Sequence, residues 1–225
     1  ETIWVSKDDE SLANDRALHF GLKFDHSTSL LDYSLLLYKG MDKSTFIIDF
    51  ASFAPVYFES FMFGVNSQLP ALGFVFKLDF LNKTYSAEYN GISVPDHSLV
   101  SIGAEKTFTF DSGKELSLIL EIQNAFGLSS EEADSTYIFQ NDIFIGTRFL
   151  WNDFSSSEFT GGVVTDLSRE NELFLRFEYS RRVGSRWKFE SNLEIVLAEQ
   201  KDALPQGLEY LDGRNFIQTK IIRYF

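Results

Sequence analysis

The sequence predicts an all-β protein, folded as an antiparallel β-barrel whose strands cross a membrane. Three observations predict this fold class. Apolar and polar residues alternate in nearly every segment with the two-residue side-chain period of a β-strand. The 24 Phe, 9 Tyr and 3 Trp far outnumber the 4 Pro, and there is no Cys. Aromatic residues also gather beside short connections, which alternate with longer ones.

Two early segments show the alternation clearly. The even positions of residues 17–25 and 71–81 are apolar, whereas the odd positions are small or polar apart from Val75 and Leu81. A helix would scatter these residues around its circumference, because its side-chain period is 3.6 residues. We therefore expect strands, each with one apolar and one polar face.

The pattern continues to the end of the chain. In the last strand Ile217, Thr219, Ile221 and Phe225 share one face, and Gln218, Lys220, Ile222 and Tyr224 share the other. Pro55 is a candidate turn residue, because the apolar positions change from even to odd across it. In order, the strand candidates lie near residues 17–26, 30–39, 44–51, 56–66, 71–81, 84–92, 98–110, 115–126, 136–151, 157–167, 172–182, 186–198 and 214–225.

The number of strands is open at this point. Single-chain barrels normally have an even number, so a short strand over Thr2–Lys7 would bring the total to about fourteen. Merging two candidates would instead give about twelve. Alternatively, the chain is the C-terminal part of a larger barrel. We expect residues 1–225 to form a single barrel domain, in which residues 1–16 are an N-terminal segment or a short first strand.

Aromatic residues on the apolar faces lie beside the short connections, such as Asn82-Lys83 and Val183-Gly184-Ser185. Intervening connections, including residues 127–135 and 198–213, are longer. Bacterial outer-membrane barrels have short periplasmic turns and longer extracellular loops, so the short turns are expected in the periplasm. The predicted membrane girdle consists of Phe80, Tyr85, Phe108, Phe110, Phe149, Trp151, Tyr179, Trp187 and Phe225.

A soluble β-sandwich or a lipocalin-like barrel is the alternative, because it shows the same alternation with its apolar face turned inward. The aromatic girdle and the alternating connection lengths favour the membrane interpretation. No apolar run approaches the roughly 20 residues that a membrane-spanning helix needs. The segment Glu1-Thr2-Ile3-Trp4 has no secretion signal, which we expect to have been removed or left out.

The polar faces would line the lumen of such a barrel. Acidic residues outnumber basic ones there, so an open bore would prefer cations. Alternatively, opposite charges on neighbouring strands pair and fill a narrow lumen. The predicted lumen residues are Lys23, Asp25, Asp49, Lys77, Asp79, Glu88, Glu105, Glu121, Arg148, Asp166, Arg176, Glu178, Arg182, Lys188, Glu190, Glu194 and Lys220.

Other functions find less support in the sequence. A net charge of −13 argues against nucleic acid as a partner. The only histidines are His19, expected on the lumen face, and His26 and His97, expected in turns or loops, so we predict no catalytic site and no cofactor. The acidic stretches Asp8-Asp9-Glu10 and Glu131-Glu132-Ala133-Asp134 are candidates for divalent cations or for cation bridges to lipopolysaccharide, although a solvated loop is the simpler interpretation.

The final residues Ile221-Ile222-Arg223-Tyr224-Phe225 resemble the terminal signature of bacterial outer-membrane porins and export channels. Arg223 departs from it, since an apolar residue is usual there. The resemblance implies an outer-membrane location, contact with lipids and lipopolysaccharide, delivery to the barrel assembly machinery through Phe225, and passage of small solutes. Residues 31–40 also resemble a strand of larger barrels that accompany exporters of lipids or hydrophobic compounds, which implies an export partner.

The sequence therefore predicts a passive outer-membrane channel or export conduit with a mild preference for cations. A structural or assembly-associated barrel that conducts nothing is the second hypothesis. A membrane-embedded hydrolase is the third, and it would need a His and a Ser in contact at the lipid-facing rim.

Overall fold

The computed structural model describes residues 19–49, 54–86, 88–89, 91–170, 172–198 and 206–225, and most of them lie in strands. None of the helices in these residues is long and apolar enough to cross a membrane. The elements are β1 (Phe20–Ser27), β2 (Asp32–Asp49), β3 (Ala54–Ala71), β4 (Phe74–Tyr85), β5 (Glu88–Tyr89), β6 (Ile92–Ser93), β7 (His97–Thr109), β8 (Glu115–Phe126), α1 (Ser130–Thr136), β9 (Asn141–Leu150), β10 (Glu158–Asp166), β11 (Leu173–Val183), β12 (Trp187–Leu197), the 3₁₀ helix η1 (Gly207–Leu211) and β13 (Phe216–Arg223).

Eleven of the strands form one sheet, in the order β1-β2-β3-β4-β7-β8-β9-β10-β11-β12-β13, and β5 pairs with β6 in a separate two-stranded sheet. The prediction of an all-β antiparallel protein is confirmed. Eleven strands form the main sheet in the described part of the chain, and the additional strand expected over Thr2–Lys7 lies outside the described residues. The order ends at β1 and β13, so the sheet is not closed in these residues.

One difference in strand number arises at β2, where the sequence suggested two strands, 30–39 and 44–51. Asp42 and Lys43 resemble turn residues, yet β2 runs through them without a break. The Asp42 carboxylate accepts hydrogen bonds from Lys83 Nζ at 2.9 Å and from the Tyr85 hydroxyl at 2.8 Å. Because β4 supplies these donors, the buried acid is accommodated within the strand.

A second difference lies between β4 and β7. The predicted turn at Asn82-Lys83 is wrong, because both residues lie inside β4. The predicted strand over 84–92 is also wrong: it contains the end of β4 and part of the small β5–β6 hairpin. Gly91 adopts a φ of 81° beside this hairpin, a conformation that favours glycine.

The strand predicted over 136–151 begins too early, because α1 precedes β9. Ser129 caps α1: its side chain accepts a hydrogen bond from Glu132 N, and the Glu132 side chain accepts one from Ser129 N. This reciprocal capping box has a readable signature, a Ser followed three residues later by a Glu. The sequence thus carried a signal for the helix that strand periodicity did not detect.

The chain forms two compact units, which are described separately. One takes its described residues from Glu1–Ser67, Asp79–Val100 and Ala125–Leu128, and the other from Gln68–Leu78, Ser101–Asn124 and Ser129–Phe225. We call them unit 1 and unit 2. In unit 2, Leu72 and Gly73 join β3 to β4 with φ angles of 56° and 76°. Positive φ at both central residues is typical of the type I′ turn that matches the twist of a hairpin.

The register of unit 2 separates two faces. Residues directly opposite one another in an antiparallel ladder share a face. One row across five strands is apolar, and the other face carries a polar row across six strands. The apolar row is Leu120, Ile145, Val163, Leu175 and Ile195. The polar row is Ser117, Arg148, Thr160, Glu178, Asn192 and Gln218.

None of the five residues in the apolar row is buried, and Val163, Leu175 and Ile195 are half-buried. Leu120 and Ile145 are 44% and 53% exposed, and no second layer covers them among the described residues. The buried apolar cluster of unit 2, formed by Val196, Ala198 and Leu208, instead lies on the side of the polar face, near one end of the sheet. A soluble sheet has the opposite arrangement, with its apolar face packed on a core.

Two glycines allow an aromatic ring to lie flat on the polar side. A Cβ added to Gly146 would stand 2.5 Å from Phe144 Cζ, and one added to Gly162 would overlap Phe144 Cε2. Gly146 and Gly162 lie directly opposite each other on β9 and β10. The Phe144 ring therefore covers backbone that glycine leaves open, in the way that aromatic residues rescue glycines in sheets.

Replacing Gly162 by Ala should destabilise the fold by about 1–3 kcal/mol, because the new methyl group displaces the Phe144 ring. Urea-induced unfolding of the protein measures this change. Gly21→Ala is the matched control, since its Cβ would make only an ordinary 3.8 Å contact with Tyr38. Equal unfolding midpoints for the two variants would contradict the packing described.

Candidate functional site

A concave region on the polar face of unit 2 has a volume of about 370 Å³. We call it the polar groove. Strands β10 to β13 supply its walls. Its lining residues are Glu158, Thr160, Arg176, Glu178, Tyr179, Ser180, Lys188, Glu190, Ser191, Asn192, Gln218 and Lys220.

Ion pairs cross the polar groove between neighbouring strands and along them. Arg148 Nε lies 2.6 Å from Glu158 Oε1, and Lys188 Nζ lies 2.7 Å from Glu190 Oε1. The Arg176 guanidinium pairs with Glu178 on its own strand and approaches Glu194 Oε1 of β12 at 3.4 Å. The ion-paired side chains are partly exposed, so each pair contributes little to stability, roughly 0–1 kcal/mol. Their main effect is to fix where positive and negative charge stand on this face.

The structure brings most of the predicted lumen residues onto common faces. In unit 2 the side chains of Lys77 and Glu105 join at 2.8 Å, and Ser101 Oγ donates to Glu121 Oε1 at 2.8 Å. In unit 1 Lys23 pairs with Asp25 at 2.8 Å. Unit 2 places these predicted residues on its polar face: Lys77, Glu105, Glu121, Arg148, Asp166, Arg176, Glu178, Arg182, Lys188, Glu190, Glu194 and Lys220.

Three further predicted lumen residues, Asp49, Asp79 and Glu88, belong to unit 1. Asp79 of unit 1 accepts a hydrogen bond from Asn66 Nδ2. Glu88 lies in β5, outside the main sheet, so its placement on the lumen face is wrong. Asp49 ends β2, but its side chain lies outside the described part of the chain. That the polar faces enclose a lumen remains a prediction.

Aromatic side chains line the apolar face of unit 2 beside the turns at 151–157 and 184–186. The rings of Phe149 and Trp151 meet edge to face with centroids 4.5 Å apart. Trp151 then contacts Tyr179 at 6.1 Å, and Tyr179 contacts Phe189 at 6.3 Å. These contacts join three predicted girdle residues to Phe189, and their role as a membrane girdle remains a prediction.

The end of the chain joins the same edge of unit 2. Tyr224 N donates to Arg186 O at 2.7 Å, next to the turn between β11 and β12. The Arg223 guanidinium lies 5.3 Å from the Trp187 ring centroid and 4.9 Å from that of Phe225. The arginine that departs from the terminal signature is therefore held between two aromatic faces.

Two predicted girdle residues fall in unit 1, where Phe80 and Tyr85 were expected to flank a turn. Tyr85 is displaced from the row of Phe80, because it lies on the other face of β4 and donates to Asp42. Its ring stacks on His97, with centroids 5.8 Å apart. The girdle assignment of Tyr85 is therefore wrong.

Asp42 and Lys83 of unit 1 form a buried ion pair that the sequence did not reveal. Their atoms approach to 2.9 Å, and both side chains are at most 4% exposed. Ser44 Oγ donates to Asp42 Oδ1 at 2.6 Å, and Lys83 Nζ donates to Ser44 Oγ at 2.8 Å. No local motif predicts this pair, because the residues are 41 positions apart.

The expected positions of two histidines are wrong. His26 lies within β1, where its ring stacks on Phe24 with centroids 6.1 Å apart. His97 begins β7 and is buried, with Nδ1 lying 2.8 Å from Pro95 O. His19 precedes β1, and its Nδ1 lies 3.3 Å from the Tyr38 hydroxyl.

Arg169, in the connection between β10 and β11, joins the longer loops of unit 2. Its guanidinium contacts Asp134 of α1 at 3.2 Å and also pairs with Glu172 and with Glu209 of η1. Burial opposes its charge, but the hydrogen bonds and charges of these acids outweigh burial and hold the pKa of Arg169 above its ordinary value. One arginine thus links three segments that are distant in sequence.

The acidic stretch around α1 is only partly solvated, contrary to the simpler expectation. Asp134 is buried, where it also accepts from Gln140 Nε2 at 2.7 Å, whereas Glu131 is exposed. Hydrogen bonds from Ser129 lower the pKa of the Glu132 carboxyl. The other acidic stretch, Asp8-Asp9-Glu10, lies outside the described residues. Within those residues, no group of three or more His, Cys, Asp or Glu is arranged to hold a metal ion.

No protein-family model matches this sequence, and no curated protein or solved structure shows significant similarity to it.

Replacing Arg169 by Met should destabilise unit 2 by about 3–5 kcal/mol, because Glu172 and Glu209 would stay buried without their cation. Urea-induced unfolding measures the loss, and hydrogen–deuterium exchange should rise first in η1. Arg186→Met, in an exposed turn, is the matched control. Unchanged exchange in η1 of the Arg169 variant would show that this arginine does not hold the loops together.

Proposed function

We propose that this chain forms the wall of an outer-membrane β-barrel that conducts small solutes with a mild preference for cations. One observation carries the proposal: the central rows of the sheet expose apolar side chains on one face and gather charged side chains on the other. This is the arrangement of a transmembrane barrel, in which lipid covers the apolar band and water fills the polar interior.

Solvation explains why the pattern points to lipid. A continuous row of Leu, Ile and Val that stays in water costs about 25 cal/mol of transfer free energy for each Å² of apolar surface, relative to burial. A contiguous apolar row marks an interaction surface, whereas single exposed apolar side chains are common on any protein. Hydrocarbon tails would cover the row formed by Leu120, Ile145, Val163, Leu175 and Ile195 without requiring a second layer of protein.

The aromatic contacts support an interface at the edge of that row. Trp and Tyr side chains prefer the headgroup level, where the ring is apolar and its polar atom reaches water. Trp151 and Tyr179 lie at such an edge, beside the turns of unit 2. Arg223 suits the same level, because its guanidinium can reach phosphate groups while its stem stays among aromatic rings.

Insertion into lipid requires a closed sheet, since unpaired backbone groups are costly in hydrocarbon. Closing an antiparallel order of eleven strands would leave its end strands parallel, so we infer that an odd number of further strands completes the barrel. Thr2–Lys7 is the candidate within this chain, and its structure lies outside the described residues. Strands from other chains would satisfy the same requirement.

The balance of charge supports a preference for cations. Described acids on the polar face of unit 2 include Glu105, Glu121 and Glu194 besides those in the polar groove. Rings of acidic side chains raise the local concentration of cations and lower the barrier to their entry. The basic residues are mostly engaged in ion pairs, so the uncompensated charge is negative.

A barrel that conducts nothing is the second candidate, and one observation favours it. Leu208 of η1 is 0% exposed and packs with Val196 on the polar side, where Phe139 and Phe174 also contact the cluster. A loop segment seated on this face would narrow a bore. Conductance distinguishes the two candidates.

Replacing Ile145 by Lys tests membrane insertion. In lipid, a lysine at this central apolar position should lower the free energy of unfolding from the bilayer by about 2–4 kcal/mol. In water, the same change at a side chain that is 53% exposed should cost almost nothing. Gln218→Lys, on the polar face, is the control. Unfolding from lipid vesicles with equal free energies for both variants would contradict a lipid-facing Ile145.

Single-channel recording in a planar bilayer with a KCl gradient tests conduction. We expect discrete openings with a reversal potential that favours potassium. Glu178→Gln with Glu190→Gln should shift the reversal potential towards chloride, because Arg176 and Lys188 would lose their partners. Glu131→Gln on α1 is the control for a single exposed acid. An inserted protein without openings would favour the non-conducting candidate.

A further inference from the structure

A second cavity of unit 2, of about 190 Å³, lies on the polar side near the longer loops. Strand β8 supplies Glu121 and Gln123, strand β9 supplies Asp142 and Phe144, and Val164 and Phe139 complete the lining. One side of the cavity is thus acidic, and the other is aromatic and aliphatic. An engineered protein cavity of about 150 Å³ holds benzene, so this space suits a ligand of a few carbon atoms.

Asp142 is the unusual residue of this cavity. Asp142 is only 4% exposed, and no side-chain donor reaches either carboxylate oxygen among the described residues, although the backbone of Gln140 and Asn141 favours its charged form. Its direct neighbours across the sheet are Gln123 on β8 and Asp166 on β10. An unpaired buried carboxylate is costly, and a second acid opposite it raises that cost.

The nearby donors are already engaged elsewhere. Gln123 Nε2 donates to Phe139 O at 2.8 Å, and Gln140 Nε2 donates to Asp134 and Asp166. Arg169 directs its guanidinium to Asp134, Glu172 and Glu209. The cavity therefore presents a buried carboxyl group whose negative form these side-chain donors do not compensate, and a ligand with positive charge would supply what is missing.

We propose that this cavity binds a small organic ammonium ion, with Asp142 as the principal contact of the ammonium group. Glu121 contributes a second negative charge, and the rings of Phe139 and Phe144 offer the faces that attract ammonium ions. Val164 and these rings would enclose the hydrocarbon part of the ligand. A bare divalent cation suits the cavity less, because calcium takes six to eight oxygen ligands and half of this lining is apolar.

The inference deepens the proposed function and rests on it for its biological meaning. If the polar face lines a solute path, the cavity is a selective subsite on that path for amines. Binding itself does not require flux, so it can be measured on the folded protein in detergent.

Isothermal titration calorimetry with n-propylammonium chloride at low ionic strength tests the site. We expect saturable binding of one equivalent, and n-propanol should not compete because it carries no charge. Asp142→Asn keeps the shape and removes the charge, so affinity should fall about tenfold or more. Phe139→Leu should weaken binding about threefold, because one aromatic face is lost.

Asp111→Asn, in an exposed turn, is the matched control and should bind like the unmodified protein. Equal affinity for the Asp142 variant, absence of saturable binding, or displacement of the amine by an equal concentration of calcium would each overturn the proposal. Electrophoretic mobility of unheated samples verifies that the variants are folded. Binding without conductance would refute only the channel function, whereas conductance without binding would refute only this site.

Discussion

The register of the antiparallel ladder is the constraint on which the other features depend. Because side chains alternate at each residue, a slip of one position between two strands would exchange their faces. The register is kept across many strands: the apolar row through Ile145 spans five strands, and the polar row through Arg148 spans six. Phe144 strengthens it locally, because its ring fits only over Gly146 and Gly162.

This register produces an arrangement of burial that is inverted relative to a soluble sheet. Charged residues face each other across the polar groove, where ion pairs and exposure to water both limit their cost. The apolar residues of the central row are exposed or half-buried, and the buried apolar cluster is small and lies beneath η1. The stability of such a sheet depends on the medium that covers its apolar face. In the proposed function that medium is lipid and not a protein core.

The loop end of unit 2 follows a different principle, in which buried charge is compensated by specific partners. Arg169 compensates Asp134, Glu172 and Glu209, and it thereby holds α1 and η1 near the strands. Asp142 lies beyond this network, and no side-chain donor reaches its carboxylate among the described residues. The contrast between these two acidic regions motivates the amine site, because buried carboxylates cost least when a cation accompanies them.

Local periodicity determined most strands of unit 2, including β8, whose predicted range of 115–126 is the range observed, but it began β9 too early. It also determined which residues share a face, because a period of two follows from strand geometry whatever the partner. Tertiary structure alone decided that β2 continues through Asp42, since Lys83 lies 41 residues away, and that Arg169 ties the loops together. Such pairings depend on distances between strands, which no local pattern in the sequence encodes.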